Sequence, residues 1–317
     1  MYFDIDDMSV ESGMSATPLC VVALGNFDGV HIAHRRLLEE TEDLAEKLSS
    51  KLGKEVVSAV FTFRGLKPAV GCITDFERKL SLIEACGIDR CYFADFEKVR
   101  DMTPAEFVSD VLLSRLHAVG AVCGFNFRFG RNAAGDASVL RDELLRHGIS
   151  ELAVLPPVIY NGIKVSSTAV RKAVADGNTE LATALLGRPY AICGNIVHGR
   201  AVGRTMSCPT LNLMLDRENV APRFGVYFAR CLWGGKMLPS IVNVGVRPTF
   251  DGEYGESLPL CEIHLLGNVD AFPEVGDKVS VLFDKFCRPE IRFSSVDMLY
   301  RRIADDIESA ENFYRNR

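Results

Sequence analysis

The sequence predicts an α/β half built on a doubly wound parallel sheet, followed by a small antiparallel β-barrel and a terminal helix. Three observations predict this arrangement. Short apolar strands alternate with helices through the first half, as in repeated β-α-β units. From about residue 187, short strands follow one another closely with Gly/Pro turns between them. From Ser295, apolar residues recur at helical spacing. We place the boundary near Leu186, which gives domains of residues 1–186 and 187–317.

The elements of the first half follow from apolar runs and capping signals. Two capping boxes, at Thr74–Glu77 and at Thr103–Glu106, open helices; the first of these stops at Gly87, and the second has Pro104 at its first helical position. The remaining predicted helices begin at the histidines near position 31 and cover 138–147 and 179–186. The predicted strands are 21–24, 55–63, 91–93, 119–123 and 152–155.

The second half is predicted to be mainly strands. They cover 191–197, 226–233, 240–244, 260–265 and 278–283. The closing helix is amphipathic, with Val296, Leu299, Ile303, Ile307 and Ala310 on one face.

Composition limits the classes of function. The chain of 317 residues has ordinary hydrophobic (48%) and charged (25%) fractions, and its net charge of −6 without a Lys/Arg run argues against a general nucleic-acid binder. The acidic residues 1–12 do not resemble a signal peptide, and no apolar run reaches the roughly 18 residues of a membrane span. Ten cysteines without a Cys-x-x-Cys pair suit reduced thiols. We expect a cytoplasmic protein with no nucleic acid, membrane or structural zinc, and leave self-association open.

The stretch 21–34 is the first candidate site. Its apolar run ends at Gly25, a glycine-bearing turn follows, and the helix pattern opens at His31 and His34. Such a turn presents backbone N–H groups and a positive helix end, which favour phosphate. Histidines three apart share a face and can point at one anion. Taken alone, they could also be surface residues or half of a zinc site, although no further Cys or His cluster lies nearby.

The whole string Gly-x-Phe-Asp-Gly-x-His-x-x-His resembles the signature of the His-x-Gly-His nucleotidylyltransferases, which have a Rossmann-like fold. Its Phe-Asp-Gly form is similar to the bacterial FAD synthetases. The resemblance implies that His31 and His34 bind nucleotide phosphates and stabilise charge during attack on an α-phosphate. It also implies nucleotide contacts by Gly25, Phe27 and Asp28. The family has glycine where this chain has Ala33, whose methyl group is either tolerated or crowds the nucleotide.

Two later motifs extend the resemblance. Residues 124–130 read Gly-Phe-Asn-Phe-Arg-Phe-Gly, which is similar to a family motif whose asparagine, here Asn126, contacts nucleotide. Residues 166–171 resemble the family's Ser-Ser-Thr-x-Ile-Arg motif, which implies that Ser167, Thr168 and Arg171 hold the triphosphate. From the residues alone, the first is also a loop with aromatic side chains against the core. The second is also a helix capped by Ser167 or Thr168. Residues 61–68 keep only part of the family's Phe-x-Pro-x-Pro segment, so we assign no flavin contact there.

The second half carries its own candidate site. Thr210 and Asn212 lie two apart, so on an extended chain their oxygens point to one side and suit Mg²⁺ with nucleotide phosphates. Alone, Pro-Thr-x-Asn is equally a turn entering a strand. With the preceding glycines and the later Asn243-Val244-Gly245 run, it resembles the riboflavin kinase family. The resemblance implies that Gly199, Thr210 and Asn212 bind MgATP.

The same resemblance assigns two further residues. It implies that Glu262 is the base acting on the ribityl hydroxyl and that Arg288 contacts the flavin. Without it, Glu262 is an outward carboxylate on an alternating strand. The chain departs from the family at Ser207 and Leu211, where glycine and alanine are usual, and lacks the Tyr-Gly pair after the glutamate strand.

The resemblance covers about residues 19–314 and implies two activities in series. The barrel would phosphorylate riboflavin with ATP to give FMN. The α/β domain would join AMP from a second ATP to FMN, giving FAD and pyrophosphate. Both are in-line displacements that need no covalent intermediate with the enzyme. The alternatives are an enzyme with one working site and a flavin-binding or sensing protein with none.

Overall fold

The structure is a computed structural model that describes residues 1–7, 17–66, 68–198, 210–216, 218–246, 259–267 and 271–316. The chain divides into two compact units. The first consists of Met1–Pro68 and Asp75–Ser167, and the second consists of Ala69–Thr74 and Thr168–Arg317.

The first unit is built on six strands: β1 (Tyr2–Asp4), β2 (Leu19–Leu24), β3 (Val56–Arg64), β4 (Arg90–Asp95), β5 (Ala118–Gly124) and β6 (Leu152–Leu155). They form one parallel sheet in the order β1-β4-β3-β2-β5-β6. The predicted doubly wound parallel sheet is therefore confirmed. The sequence prediction missed β1, because three residues are too few to show a pattern. It also missed a two-stranded hairpin after β6, which pairs β7 (Ile159–Tyr160) with β8 (Ile163–Lys164).

The helices of this unit are α1 (Ile32–Leu52), α2 (Phe76–Glu84), α3 (Phe96–Val99), α4 (Pro104–Glu106) and α5 (Ala137–Arg146). A π-helical segment, Phe107–Arg115, continues from α4, and Arg131–Ala133 forms a 3₁₀ turn. The capping box at Thr103 is confirmed, since Thr103 and Glu106 each bind the other's backbone N–H. The one at Thr74 was wrong. The helix begins one residue later than a cap at Thr74 would require. Asp75 is therefore the N-cap residue of α2, and its carboxylate accepts from the Arg78 N–H at 2.7 Å.

Both faces of the parallel sheet are buried. In β2, Cys20, Val22 and Leu24 enter one apolar cluster, whereas Val21 and Ala23 enter the other with the inward face of α1. This alternation into two cores explains the uninterrupted apolar run in the sequence. Burial raises the pKa of the thiols of Cys20 and Cys91 to about 12, so these cysteines stay protonated and pack as small apolar groups.

The second unit contains α7 (Thr179–Leu186), most of α6 (Ser167–Ala175), six barrel strands and α8 (Val296–Arg315). The strands are β9 (Tyr190–Val197), β10 (Thr210–Met214), β11 (Gly225–Trp233), β12 (Lys236–Val246), β13 (Pro259–Leu265) and β14 (Lys278–Arg288). They close an antiparallel barrel in the order β10-β13-β12-β11-β14-β9. The predicted barrel is confirmed, with β10 added as a sixth strand.

The terminal helix packs on the outside of this barrel. Ser295 caps α8 by accepting from the Met298 N–H, so the helix begins where the apolar spacing predicts. Ala310 is fully buried in a cluster with Phe228 and Ile241 of the barrel wall.

Candidate active sites

The first candidate site lies where the strand order of the parallel sheet reverses. The chain runs from β2 to β3 on one side, but β5 pairs with the other side of β2. Leu24 and Cys123 are register partners, so the turns that follow β2 and β5 leave the sheet side by side. Ligands of open α/β sheets bind at this place, outside the carboxyl ends of the strands.

The turn after β2 has an unusual backbone. Phe27 and Val30 have positive φ angles of 53° and 37°, and Gly29 has φ 81°. The Phe27 ring is fully buried beneath Gly25, where a methyl group would lie 3.2 Å from the ring. Non-glycine residues with positive φ persist only where the surrounding packing holds them, and such positions cluster at functional sites. The turn is therefore fixed by the buried Phe27 side chain.

The two predicted histidines lie together at the start of α1. His31 is the N-cap residue, and its Nδ1 accepts the His34 backbone N–H at 3.2 Å. The two rings stack with centroids 3.5 Å apart and an interplanar angle of 9°. Because Nδ1 is an acceptor, the neutral His31 ring carries its proton on Nε2, where it can be donated to an anion. Only 4% of His31 is exposed, so this donor acts in a shielded place.

Asn126 belongs to the neighbouring turn, after β5. The Gly124 carbonyl accepts from the Phe127 N–H at 2.9 Å, and Asn126 is exposed at the tip. Two aromatic residues of the same motif, Phe127 and Phe129, pack against the core, whereas Phe125 is exposed. Phe129 is buried, with its ring centroid 5.5 Å from that of Phe107. The interpretation as a loop with aromatic side chains against the core holds for Phe127 and Phe129. The nucleotide contact of Asn126 stays a prediction.

Ser167 binds the turn of the first candidate site. Its Oγ donates to the Asp28 carbonyl at 3.0 Å, and Asp28 is 4% exposed. The expectation that Ser167 or Thr168 caps α6 was wrong, because both lie inside the helix and the Ser167 hydroxyl binds the Asp28 carbonyl of the turn after β2 instead. Thr168 and Arg171 belong to the second unit, where Arg171 Nε donates to the Gly71 carbonyl at 2.8 Å.

Sequence reasoning missed two residues that hold the first turn. Thr62 Oγ1 and Lys79 Nζ both donate to the Asn26 carbonyl, at 2.9 Å and 3.2 Å. Lys79 is 6% exposed and interrupts the apolar stripe of α2 between Phe76 and Ile83. The sequence signal that could have revealed Lys79 was a lysine on the apolar face of a predicted helix.

The second candidate site is a polar row across three barrel strands. Glu262 on β13 is the register partner of Asn212 on β10 and of Asn243 on β12. Directly opposed residues of antiparallel strands share a face, with Cβ atoms roughly 4.5–5.5 Å apart. Thr210 lies on the same face two residues before Asn212. Glu262 is exposed, as an outward strand residue should be, but an amide flanks it on either side. Asn243 belongs to a run that carries the family resemblance but was not among the predicted site residues, and its register with Glu262 places it beside them.

Arg288 is anchored at the end of β14. Its Nε and Nη2 donate to Asp306 of α8, at 2.9 Å and 2.5 Å, and its Nη1 donates to the Pro289 carbonyl at 3.0 Å. Arg302 Nε lies 3.1 Å from the same carboxylate. The contact with flavin stays a prediction for Arg288. Gly199 lies outside the described residues, as does Ser207.

The donors predicted for Mg²⁺ are of the hydroxyl and amide type. Among the described residues, no three His, Cys, Asp or Glu side chains group as metal ligands do. Thr210 is exposed and Asn212 is 6% exposed on the shared face of β10. Two neutral oxygens fit a Mg²⁺ ion that keeps waters and phosphate oxygens as its other ligands.

Comparisons with known proteins agree with both halves. The FAD synthetase family model matches residues 14–169, and the riboflavin kinase model matches residues 186–314. The bifunctional riboflavin kinase/FMN adenylyltransferase of Escherichia coli K12 is 35% identical over 302 residues, covering 93% of each chain. That of Bacillus subtilis is 31% identical over 307 residues, with the same coverage. A solved structure described as a macrolide-efflux protein from Streptococcus pneumoniae aligns with TM-score 0.79 and 28% identity, over 98% of this chain and 99% of that one.

A nucleotide-binding parallel sheet with paired histidines, together with a riboflavin kinase barrel, defines a two-domain transferase of flavin nucleotides. The chain belongs to the bifunctional riboflavin kinase/FMN adenylyltransferase family. In the part of the chain that the structure describes, no helix has the length and apolar character to cross a membrane.

Proposed function

We propose that this chain phosphorylates riboflavin to FMN and then adenylylates FMN to FAD, consuming one ATP in each step and releasing pyrophosphate in the second. The observation that carries the proposal is that each half matches one of the two enzyme families, over residues 14–169 and 186–314. The described residues also retain the histidine pair and the glutamate that the chemistry needs.

The adenylyl transfer is assigned to the turn after β2. An oxygen of the FMN phosphate attacks the α-phosphorus of ATP, and the bond to pyrophosphate breaks. Negative charge that builds on the phosphate oxygens is neutralised by His31 Nε2–H and by His34, which faces the same anion. Gly25, Phe27 and Asp28 form the wall against which the nucleotide lies, and Asn126 contacts it from the neighbouring turn. Ser167, Thr168 and Arg171 are proposed to hold the leaving pyrophosphate.

The phosphorylation is assigned to the polar row of the barrel. Glu262 takes the proton of the terminal ribityl hydroxyl as its oxygen attacks the γ-phosphorus, and ADP leaves. Thr210 and Asn212 would hold Mg²⁺, which neutralises phosphate charge when bound. Gly199 is proposed to approach the same nucleotide, and Arg288 the flavin. Release of its Nη1 from the Pro289 carbonyl would give Arg288 a donor for that contact.

The functional division is proposed as residues 1–186 and 187–317. The riboflavin kinase model begins at residue 186, which supports this choice, whereas the compact units divide between Ser167 and Thr168. The proposed partners are the small molecules riboflavin, FMN and ATP. Self-association is a separate prediction, which sedimentation of the purified chain tests.

The test is incubation of the purified chain with riboflavin, ATP and Mg²⁺, followed by chromatographic separation of the flavins. Appearance of FMN followed by FAD supports both assignments. Formation of FMN alone, or formation of FAD only when FMN is added, would show that the chain has one working site. Flavin binding without either product would make it a binding protein and contradict the proposal.

A further inference from the structure

A buried lysine is placed beneath the turn that carries the first candidate site. Lys79 Nζ donates to three oxygens: the Phe63 carbonyl at 2.7 Å, Thr62 Oγ1 at 3.1 Å and the Asn26 carbonyl at 3.2 Å. Thr62 Oγ1 donates to the same Asn26 carbonyl at 2.9 Å. Two side chains from different elements, α2 and β3, thus converge on one backbone oxygen of the turn.

Burying an ammonium group at this position is energetically unfavourable. Lys79 is 6% exposed, and its neighbours on the inward face of α2 are apolar. Desolvation of a charge is unfavourable unless hydrogen bonds compensate it, so an apolar residue would suit a purely structural role better. The bonds of Lys79 join the carboxyl ends of β2 and β3, the edge where ligands of such sheets bind.

The two hydrogen bonds to the Asn26 carbonyl fix the orientation of the whole Asn26–Phe27 peptide group. The described chain contains no cis peptide bond, so the Asn26–Phe27 peptide is planar and trans. In a trans peptide the N–H points opposite to the C=O. When Lys79 and Thr62 hold the Asn26 carbonyl towards α2, the Phe27 N–H is directed away from them.

We infer that Lys79 is a positioning residue for the adenylyl-transfer site. It holds the Asn26–Phe27 peptide, and with it the course of the turn from Gly25 to Gly29 that the proposed function places against the ATP phosphates, and Thr62 supports it. The inference rests on the proposed adenylyl transfer. It predicts an effect on ATP and not on the flavin, since the peptide lies in the nucleotide turn.

The experiment compares Lys79→Met with Lys51→Met in the full-length chain. Methionine keeps the length of the stem without the charge or the donors. Lys51 is an exposed lysine of the same unit, paired with Glu151. With added FMN, the KM for ATP in FAD formation should rise about 10-fold or more in Lys79→Met, because the turn placed against the phosphates loses one of the two donors that hold the Asn26 carbonyl. The KM for FMN, and FMN formation from riboflavin, should stay near wild type, as should every value in Lys51→Met.

Unchanged KM for ATP in folded Lys79→Met would overturn the inference, as would a rise in the KM for FMN alone. If Lys79→Met fails to fold, Thr62→Val removes one of the two donors to Asn26 and should raise the KM for ATP in the same direction. No rise in Thr62→Val would then overturn the inference. Absence of FAD formation by the wild type would instead reject the proposed function. Calorimetric titration with ATP still tests the inference in that case. One ATP-binding phase should be weaker in Lys79→Met than in the wild type, and wild-type affinity in both phases would overturn the inference.

Discussion

His31 and His34 are joined by a hydrogen bond from the His34 backbone N–H to His31 Nδ1 at 3.2 Å, and their rings stack 3.5 Å apart. One imidazole therefore serves both as helix cap and as a candidate phosphate ligand. The cap fixes the tautomer and the direction of the ring, so local helix formation orients the Nε2–H donor that is proposed to face the phosphate.

Substitution of the histidines should remove FAD formation and spare FMN formation. His31→Ala also deletes a cap, which costs about 0.5–2 kcal/mol of stability. His31→Asn is the better variant, because its side chain can cap α1 but lacks the Nε2–H donor. We expect His31→Asn and His34→Ala to slow FAD formation from FMN by about 10²–10³-fold, the effect typical of removing a donor that stabilises transition-state charge. Flavin chromatography measures both products. Equal loss of FMN and FAD in a folded variant would contradict the assignment of the histidines to one domain.

Restoring glycine at Ala33 tests whether this departure from the family matters. Ala33 is half-buried in the first turn of α1, directly before His34. If its methyl group crowds the nucleotide, Ala33→Gly should lower the KM for ATP in FAD formation. It should also reduce the stability of the fold by up to ~1 kcal/mol, because glycine is a poor helix residue. Kinetics and thermal unfolding of the same preparation separate the two effects. Identical kinetics would show that the turn tolerates the methyl group.

Replacing Glu262 tests the base of the phosphorylation step. Glu262→Gln keeps the size of the side chain but cannot take a proton, so FMN formation should fall by about 10²–10⁴-fold. Conversion of added FMN to FAD should continue. Thr210→Ala and Asn212→Ala are the matched variants, and they should raise the Mg²⁺ and ATP concentrations required, because they are assigned to the metal. Near-normal FMN formation by Glu262→Gln would show that Glu262 is an ordinary outward strand residue and not the base.

The ion pair between Arg288 and Asp306 should contribute strongly to barrel stability. Asp306 is 5% exposed and Arg288 12%, and the pair joins β14 to α8. Breaking a buried pair leaves a charge without its partner, which typically costs about 3–5 kcal/mol. Asp306→Asn should therefore lower the unfolding midpoint of the second unit. The exposed pair Arg36–Glu39 supplies the control, since Glu39→Gln should change stability by less than about 1 kcal/mol. Equal small shifts in both variants would contradict this role.

The sequence predicts the architecture and the histidine site because both depend on local signals. The apolar run of β2, the glycine turn and the helix at His31 are contiguous in the chain. The cap of α2 was misplaced by one residue because Thr74 and Asp75 are both good cap residues, and only the backbone decides between them.

Contacts between distant elements were out of reach of the sequence. Asn243 joins the candidate site only through its register with Glu262, and Lys79 reaches Asn26 across 53 positions of the chain. Strand β10 was missed because five residues with two polar side chains read equally well as a turn. Closure of the barrel, which pairs Asn212 with Glu262, makes it a strand.

The central claim is that two separate sites act in series through FMN, and a mixing experiment tests it most directly. His31→Asn and Glu262→Gln are each incubated with riboflavin, ATP and Mg²⁺, alone and together, and the flavins are separated. The account predicts FMN without FAD from His31→Asn, neither product from Glu262→Gln, and FAD from the mixture, because FMN released by one variant is adenylylated by the other. FAD from Glu262→Gln alone, or a mixture that accumulates FMN without forming FAD, would contradict the account.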